Sequence, residues 1–158
     1  MYVILALSLK SKLKDGIVMT QINDNVLKVL KEKNIPVTSQ EIEDGHYLHR
    51  MSFQVQKSKQ LVVEMIIQNT QDPYCDAQIV YRNIHMLDDR SKEAETLSLI
   101  NDLNEMKTGY YNLYLAGDGE VFLRTLMRAG EDAQPIYQTL VMGSSIARHV
   151  IQEFQEKL

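Results

Sequence analysis

The segment Tyr47–Gln56, YLHRMSFQVQ, alternates residue by residue: Tyr47, His49, Met51, Phe53 and Val55 fall on one side, Leu48, Arg50, Ser52, Gln54 and Gln56 on the other. A period of two sends successive side chains to opposite faces, so a strand is expected from about Glu41 to Gln56, one face in the core and one largely wet. LVVEMII, Leu61–Ile67, is nearly all apolar and β-branched, as expected of a strand placed centrally in a sheet. Ala77–Met86 gives a third strand, whose alternation slips near Arg82 and Asn83 and so predicts a bulge. Polar turns at Lys57–Lys59 and Asn69–Pro73 separate the three.

Helical periods flank this block. Thr20–Lys33 places Ile22, Val26, Val29 and Leu30 on one face, with Thr20 as N-cap and Asn34 and Pro36 as stop signals. Asp88, Asp89 and Ser91 open a second helix, with Glu93 and Glu95 at its positive end. Its expected apolar stripe is Ala94, Leu97, Ile100, Leu103 and Met106, and Gly109 closes it. After Gly130 a long final helix carries Ile136, Leu140, Ala147, Ile151, Phe154 and Leu158 at three- and four-residue steps. Gly143, Ser144 and Ser145 in its middle admit close approach by another element, or a kink.

Between these helices lies AGDGE, Ala116–Glu120, flanked by alternating runs from Tyr110 to Leu115 and from Val121 to Leu126. Asp and Gly tolerate the positive φ of tight turns, so this is a β-hairpin. A calcium loop needs acidic residues at positions one, three and five and a glutamate at twelve; counting from Asp118, position twelve is Ala129. A phosphate loop opens a helix, whereas this one leads into a strand and carries a repelling carboxylate.

The chemistry-bearing residues are scattered. At 158 residues the chain is about one domain long, and its formal charge of −4 offers no footprint for nucleic acid. Lys10, Lys12 and Lys14 are a local basic exception, read as a solvated linker. Cys75 is the lone cysteine, which fits a reducing cytoplasm, and it reads as a bystander thiol at a turn. The apolar start MYVILALSL is nine residues long, against the about 20 needed to span a bilayer; residues 1–19 are read as an N-terminal extension, whether a buried strand or helix start, an interface arm or an over-long start of the reading frame.

His46 and His49 are expected on opposite strand faces, and His85 and His149 stand alone, all as surface or boundary residues rather than metal ligands. Glu41 and Glu43 could share a strand face, while Asp88 and Asp89 read as helix caps. Ser144 and Ser145 sit inside a helical pattern rather than on a nucleophile elbow. Tyr110, Tyr111 and Tyr114 suit packing or an interface. No catalytic, cofactor-binding or metal-ligating residue is assigned, and no cofactor is expected.

The stretch LINDLNEMKTGYYNLYLAGDGEVFLRTLM, Leu99–Met127, resembles the YbjN-like family of bacterial sensory transduction regulators, which has the type III secretion chaperone-like fold. The resemblance rests on Leu103-Asn104, Gly109, Asp118-Gly119 and Arg124, and on the element order over residues 20–158. It implies an α+β fold of order α-βββ-α-ββ-α with a five-stranded antiparallel sheet, as a single domain from 20 to 158. It also implies a non-enzymatic homodimer that acts by binding a protein or peptide partner, for which helix grooves or a sheet edge would serve; with the charge, the short apolar run and the lone cysteine, a cytoplasmic protein with no nucleic-acid or membrane partner is expected. The final helix and the Tyr110–Leu115 strand are the first surfaces to consider. A small-molecule-sensing regulatory domain is the alternative.

Overall fold

A computed structural model describes residues 21–158. The expected N-terminal extension, 1–19, and the Thr20 cap lie outside the described residues. The described residues are α+β: three α-helices and a six-stranded, wholly antiparallel sheet. Helix α1 is Gln21–Glu32, followed by strands β1 (Thr38–Glu41), β2 (Tyr47–Gln56), β3 (Lys59–Ile67) and β4 (Tyr74–Met86). Helix α2 (Glu93–Met106), strands β5 (Asn112–Leu115) and β6 (Glu120–Gly130), and helix α3 (Gln134–Lys157) complete it. The sheet order is β1-β2-β3-β4-β6-β5.

Six strands replace the expected five because the strand expected from Glu41 to Gln56 begins only at Tyr47, and residues 38–41 ahead of it form an additional edge strand. Asp44 (φ 60°) and Gly45 (φ 73°) turn the chain within a short 3-10 segment, and the Ile42 amide donates to the His46 carbonyl at 2.8 Å. The preceding TSQE then pairs back on β2, Thr38 opposite Arg50 and Glu41 opposite Tyr47. All four residues of β1 are exposed, so it has no apolar alternation to announce it. Its pairing comes from the free edge of β2. As a result Glu41 ends a strand while Glu43 lies in the 3-10 segment, and the two do not share a strand face.

The bulge falls where the slip in alternation placed it. The β4–β6 register shifts between Tyr81 and His85, with Asn83 at φ 55°. Four steps along β4, Tyr81 to His85, oppose two along β6, Leu123 to Val121, so two extra residues are accommodated there, and Ile84 joins the core. The hairpin at AGDGE also forms. Gly119 takes φ 94°, the Ala116 amide donates to the Glu120 carbonyl at 2.8 Å, and the Asp118 carboxylate accepts from the Glu120 amide.

The helices gather over the sheet face that carries Met51, Val55, Val63, Met65, Ile79, Tyr81, Leu113, Val121 and Leu123. The α3 stripe is spent there: Ile136, Leu140, Ala147, Ile151 and Phe154 are all buried. That apolar face is therefore core, not an interaction surface. Gly143 supplies the close approach. A Cβ on it would lie 2.6 Å from the Tyr111 hydroxyl and overlap the Tyr81 ring. Helix α3 runs through without interruption.

The stripe expected of α2 is rotated. Thr96, Leu99, Ile100 and Leu103 are buried, whereas Leu97 and Met106 are exposed. Asn104 sets this orientation by gripping β5 from the same helix: its side-chain amide donates to the Leu113 carbonyl (3.1 Å) and its oxygen accepts from the Leu113 amide (2.7 Å). Cys75 is also placed differently from the turn expected of it. It lies in β4, fully buried, and burial pushes its thiol up to about 11, so it is no nucleophile at neutral pH.

Candidate functional site: an open sheet edge beside an apolar groove

An antiparallel sheet presents two edges, and each exposes backbone groups able to pair with another chain. The β5 edge is blunted, because the Asn104 side chain occupies both backbone groups of Leu113. At the other edge, no strand among the described residues pairs with the outer side of β1. The two edges differ in their chemistry as well as their order.

Beside β1 runs an open groove of about 490 Å³, lined by Leu27 and Lys31 of α1 and by Asn34, Ile35, Pro36, Val37 and Ser39. Its walls follow from the local sequence. Asn34 takes φ 57° after α1, and the Ile35 amide returns to the Leu30 carbonyl at 2.9 Å. Pro36 then forces an extended exit, so Ile35, Pro36 and Val37 lie as a short apolar ledge leading into the strand. Leu27, Ile35 and Val37 are each half-buried.

His49 anchors this edge from beneath. It is fully buried, contrary to the surface or boundary position expected of it. Its Nε2 donates to Asn23 Oδ1 (2.7 Å), which leaves Nδ1 to accept from the Ser39 hydroxyl (2.8 Å). This tautomer follows from the side-chain oxygen of Asn23. The chain Asn23–His49–Ser39 thereby ties α1, β2 and β1 together. Burial lowers the imidazole pKa to about 4 and keeps the ring neutral.

That relay has the connectivity of an orienter, a base and a hydroxyl. Its chemistry is weak, however. Asn23 brings no charge to stabilise an imidazolium, and a conjugate acid of pKa about 4 makes a poor base at neutral pH. The arrangement fixes the position of Ser39 and the edge strand.

The other singled-out residues are dispersed. His46 Nδ1 accepts from the Asn69 amide, His85 stacks on Phe154 at 4.9 Å, and His149 lies 3.6 Å from Glu153. Asp89 caps the 3-10 turn ahead of α2 through the Ser91 amide. Ser144 and Ser145 lie within α3, where the Ser144 hydroxyl donates to the Val141 carbonyl. Tyr111 is buried and donates to the Thr139 carbonyl at 2.7 Å; Tyr81 donates to the Leu140 carbonyl. Burial raises both phenols well above the usual tyrosine range. Tyr110 and Tyr114 are exposed, the latter beneath the Arg124 guanidinium.

The candidate feature that sequence reasoning missed is β1 with its groove. Only the I-P-V ledge after a helix stop hinted at it. No protein-family model matches the chain, and no curated protein matches it.

Proposed function

We propose that this chain is a non-enzymatic protein-binding module that captures an extended segment of a partner along the open edge of β1. The partner's backbone would pair with the edge, and alternate side chains would enter the groove between α1 and the Ile35–Val37 ledge. A suitable segment is apolar, with a carboxylate placed to meet Lys31. The single observation that carries this reading is the asymmetry of the edges: one is capped by Asn104, and the other is unpaired among the described residues, beside a groove with an apolar ledge.

The family resemblance adds the rest of the proposal: a YbjN-like protein of the type III secretion chaperone-like fold, homodimeric and cytoplasmic. Light scattering tests the dimer. The small-molecule alternative draws on the same groove, whose volume and mixed lining would suit a ligand.

The experiment is selection of binding peptides from a display library, followed by titration against the wild type and against Leu27→Glu and Val37→Glu. Both residues are half-buried at the surface, so both variants should fold. Affinity should fall at least tenfold in each. Selected peptides that bind both variants as tightly as wild type would overturn the assignment. Displacement of peptide by a small compound that shifts Leu27 and Val37 methyl signals would favour the sensor reading.

A further inference from the structure

The edge presented by β1 has a chemical polarity. Lys31 stands at its entry, lining the groove beside Val37 and Ser39, while Glu41, Glu43 and Asp44 stand at its exit. All four charged residues are exposed. None of them forms an ion pair among the described residues. Elsewhere on the described surface such charges do meet, as Arg128 meets Asp76 (2.7 Å) and Lys157 meets Glu153 (2.8 Å).

The backbone of this edge points outward at defined residues. The Ile42 amide turns toward β2, donating to the His46 carbonyl. Alternation then sends the amide and carbonyl of Gln40 and Thr38 the same way, and those of Ser39 and Glu41 outward, with Val37 ahead of them. Side chains at these odd positions share the helix side of the sheet, where Val37 and Ser39 line the groove and the Ser39 hydroxyl reaches His49. An antiparallel copy laid along the edge, with Ser39 opposite its own counterpart, sets Val37 opposite Glu41 at both ends. Each of those pairs exchanges both of its backbone hydrogen bonds. The acidic exit of either copy then faces Lys31 of the other. Centring the pairing on Glu41 would instead set like charges opposite each other, which is unfavourable, and a parallel copy would align entry with entry.

We propose that the β1 edge pairs with the β1 edge of a second copy of this chain, across a two-fold axis at Ser39, and that this pairing occludes peptide capture. The self-pairing stands on the edge itself, whereas the occlusion rests on the capture reading given above. Charged side chains at a sheet edge discourage indiscriminate strand pairing. A second copy turned end for end offsets each of them. The contact is small, a four-residue strand and the ledge beside it, so the dimer is weak and exchanges readily. A peptide therefore competes with the second copy for the same backbone groups, and capture weakens as the protein is concentrated.

Sedimentation velocity of the full chain over a concentration series should show reversible monomer–dimer exchange. Lys31→Glu and Glu41→Lys, both at exposed positions, should each weaken it about tenfold, because attraction at both ends becomes repulsion. An equimolar mixture of the two variants should associate again, since each contact across the two-fold then joins opposite charges. Amide exchange at Ser39 and Glu41 should slow as the wild type is concentrated, with Thr38 and Gln40 unchanged. A peptide selected on the wild type should dissociate the dimer. Wild type that stays monomeric up to about 1 mM, or single variants that associate as well as it does, would overturn self-pairing and leave peptide capture standing. A mixture that fails to associate would do the same. A mixed dimer that no selected peptide dissociates would uphold self-pairing and overturn the occlusion.

Discussion

Replacing Gly143 by alanine tests the packing that holds α3 to the sheet. In an ordinary helix interior this change is favourable by about 0.5–1 kcal/mol, because alanine has less backbone freedom to lose. Here the new methyl would sit 2.6 Å from the Tyr111 hydroxyl and 2.7 Å from its Cζ, as well as against the Tyr81 ring. Neither ring has room to retreat. Both are fully buried, in edge-to-face contact at 5.9 Å, and tethered by their hydroxyls to the Thr139 and Leu140 carbonyls of α3 itself. Overpacking of this kind costs about 1–3 kcal/mol. Dragging one buried hydroxyl off its carbonyl adds about 1–3 kcal/mol. Set against the helix gain, G143A should lose about 1–5.5 kcal/mol, the sum of these ranges less the alanine term. Urea unfolding followed by circular dichroism should show a lower midpoint at unchanged slope. G117A is the control: its methyl would meet nothing within 4 Å, so its stability should stay within about 0.5 kcal/mol of wild type. A G143A midpoint equal to or above wild type would refute the packing account.

Two further predictions concern the edges. His49 has a folded pKa of about 4, below its unfolded value of 6.5, so the unfolded chain binds the extra proton as the pH falls through this window. The stability this provides is complete above about pH 6.5 and is lost as pH falls towards 4, by at most about 3 kcal/mol. His49→Gln should flatten the dependence between pH 6.5 and 4 in urea titrations; an identical slope in the variant would show that His49 does not carry it. Asn104→Ala should lower stability by about 1–3 kcal/mol, since it strips both partners from the Leu113 backbone. It should also bare the β5 edge and produce concentration-dependent association by light scattering. A variant as stable and as monodisperse as wild type would mean that the cap is dispensable.

Much of the fold was legible because periodicity reports burial. The alternation in β2, the apolar run of β3, the slip that became the Asn83 bulge and the Asp-Gly turn all translate local pattern into local structure. The readings that failed share one property. For β1, exposed throughout, pairing came from a neighbour and not from its own pattern. For α2, two stripes were compatible with the sequence, and the Asn104 grip on β5 selected one. For His49, burial depended on Asn23 and Ser39, residues 26 and 10 positions away, converging on its two ring nitrogens.

The amino-acid sequence alone determined the α+β class, the positions of the three helices, the hairpin and the bulge, since each follows from side-chain period or from turn chemistry over a few residues. Tertiary structure alone decided which sheet edge is capped and which is left unpaired among the described residues, that the apolar face of α3 is core, and that a histidine lies buried beneath β1. Those outcomes depend on contacts between segments far apart in the chain, and a local pattern carries no record of what it will meet.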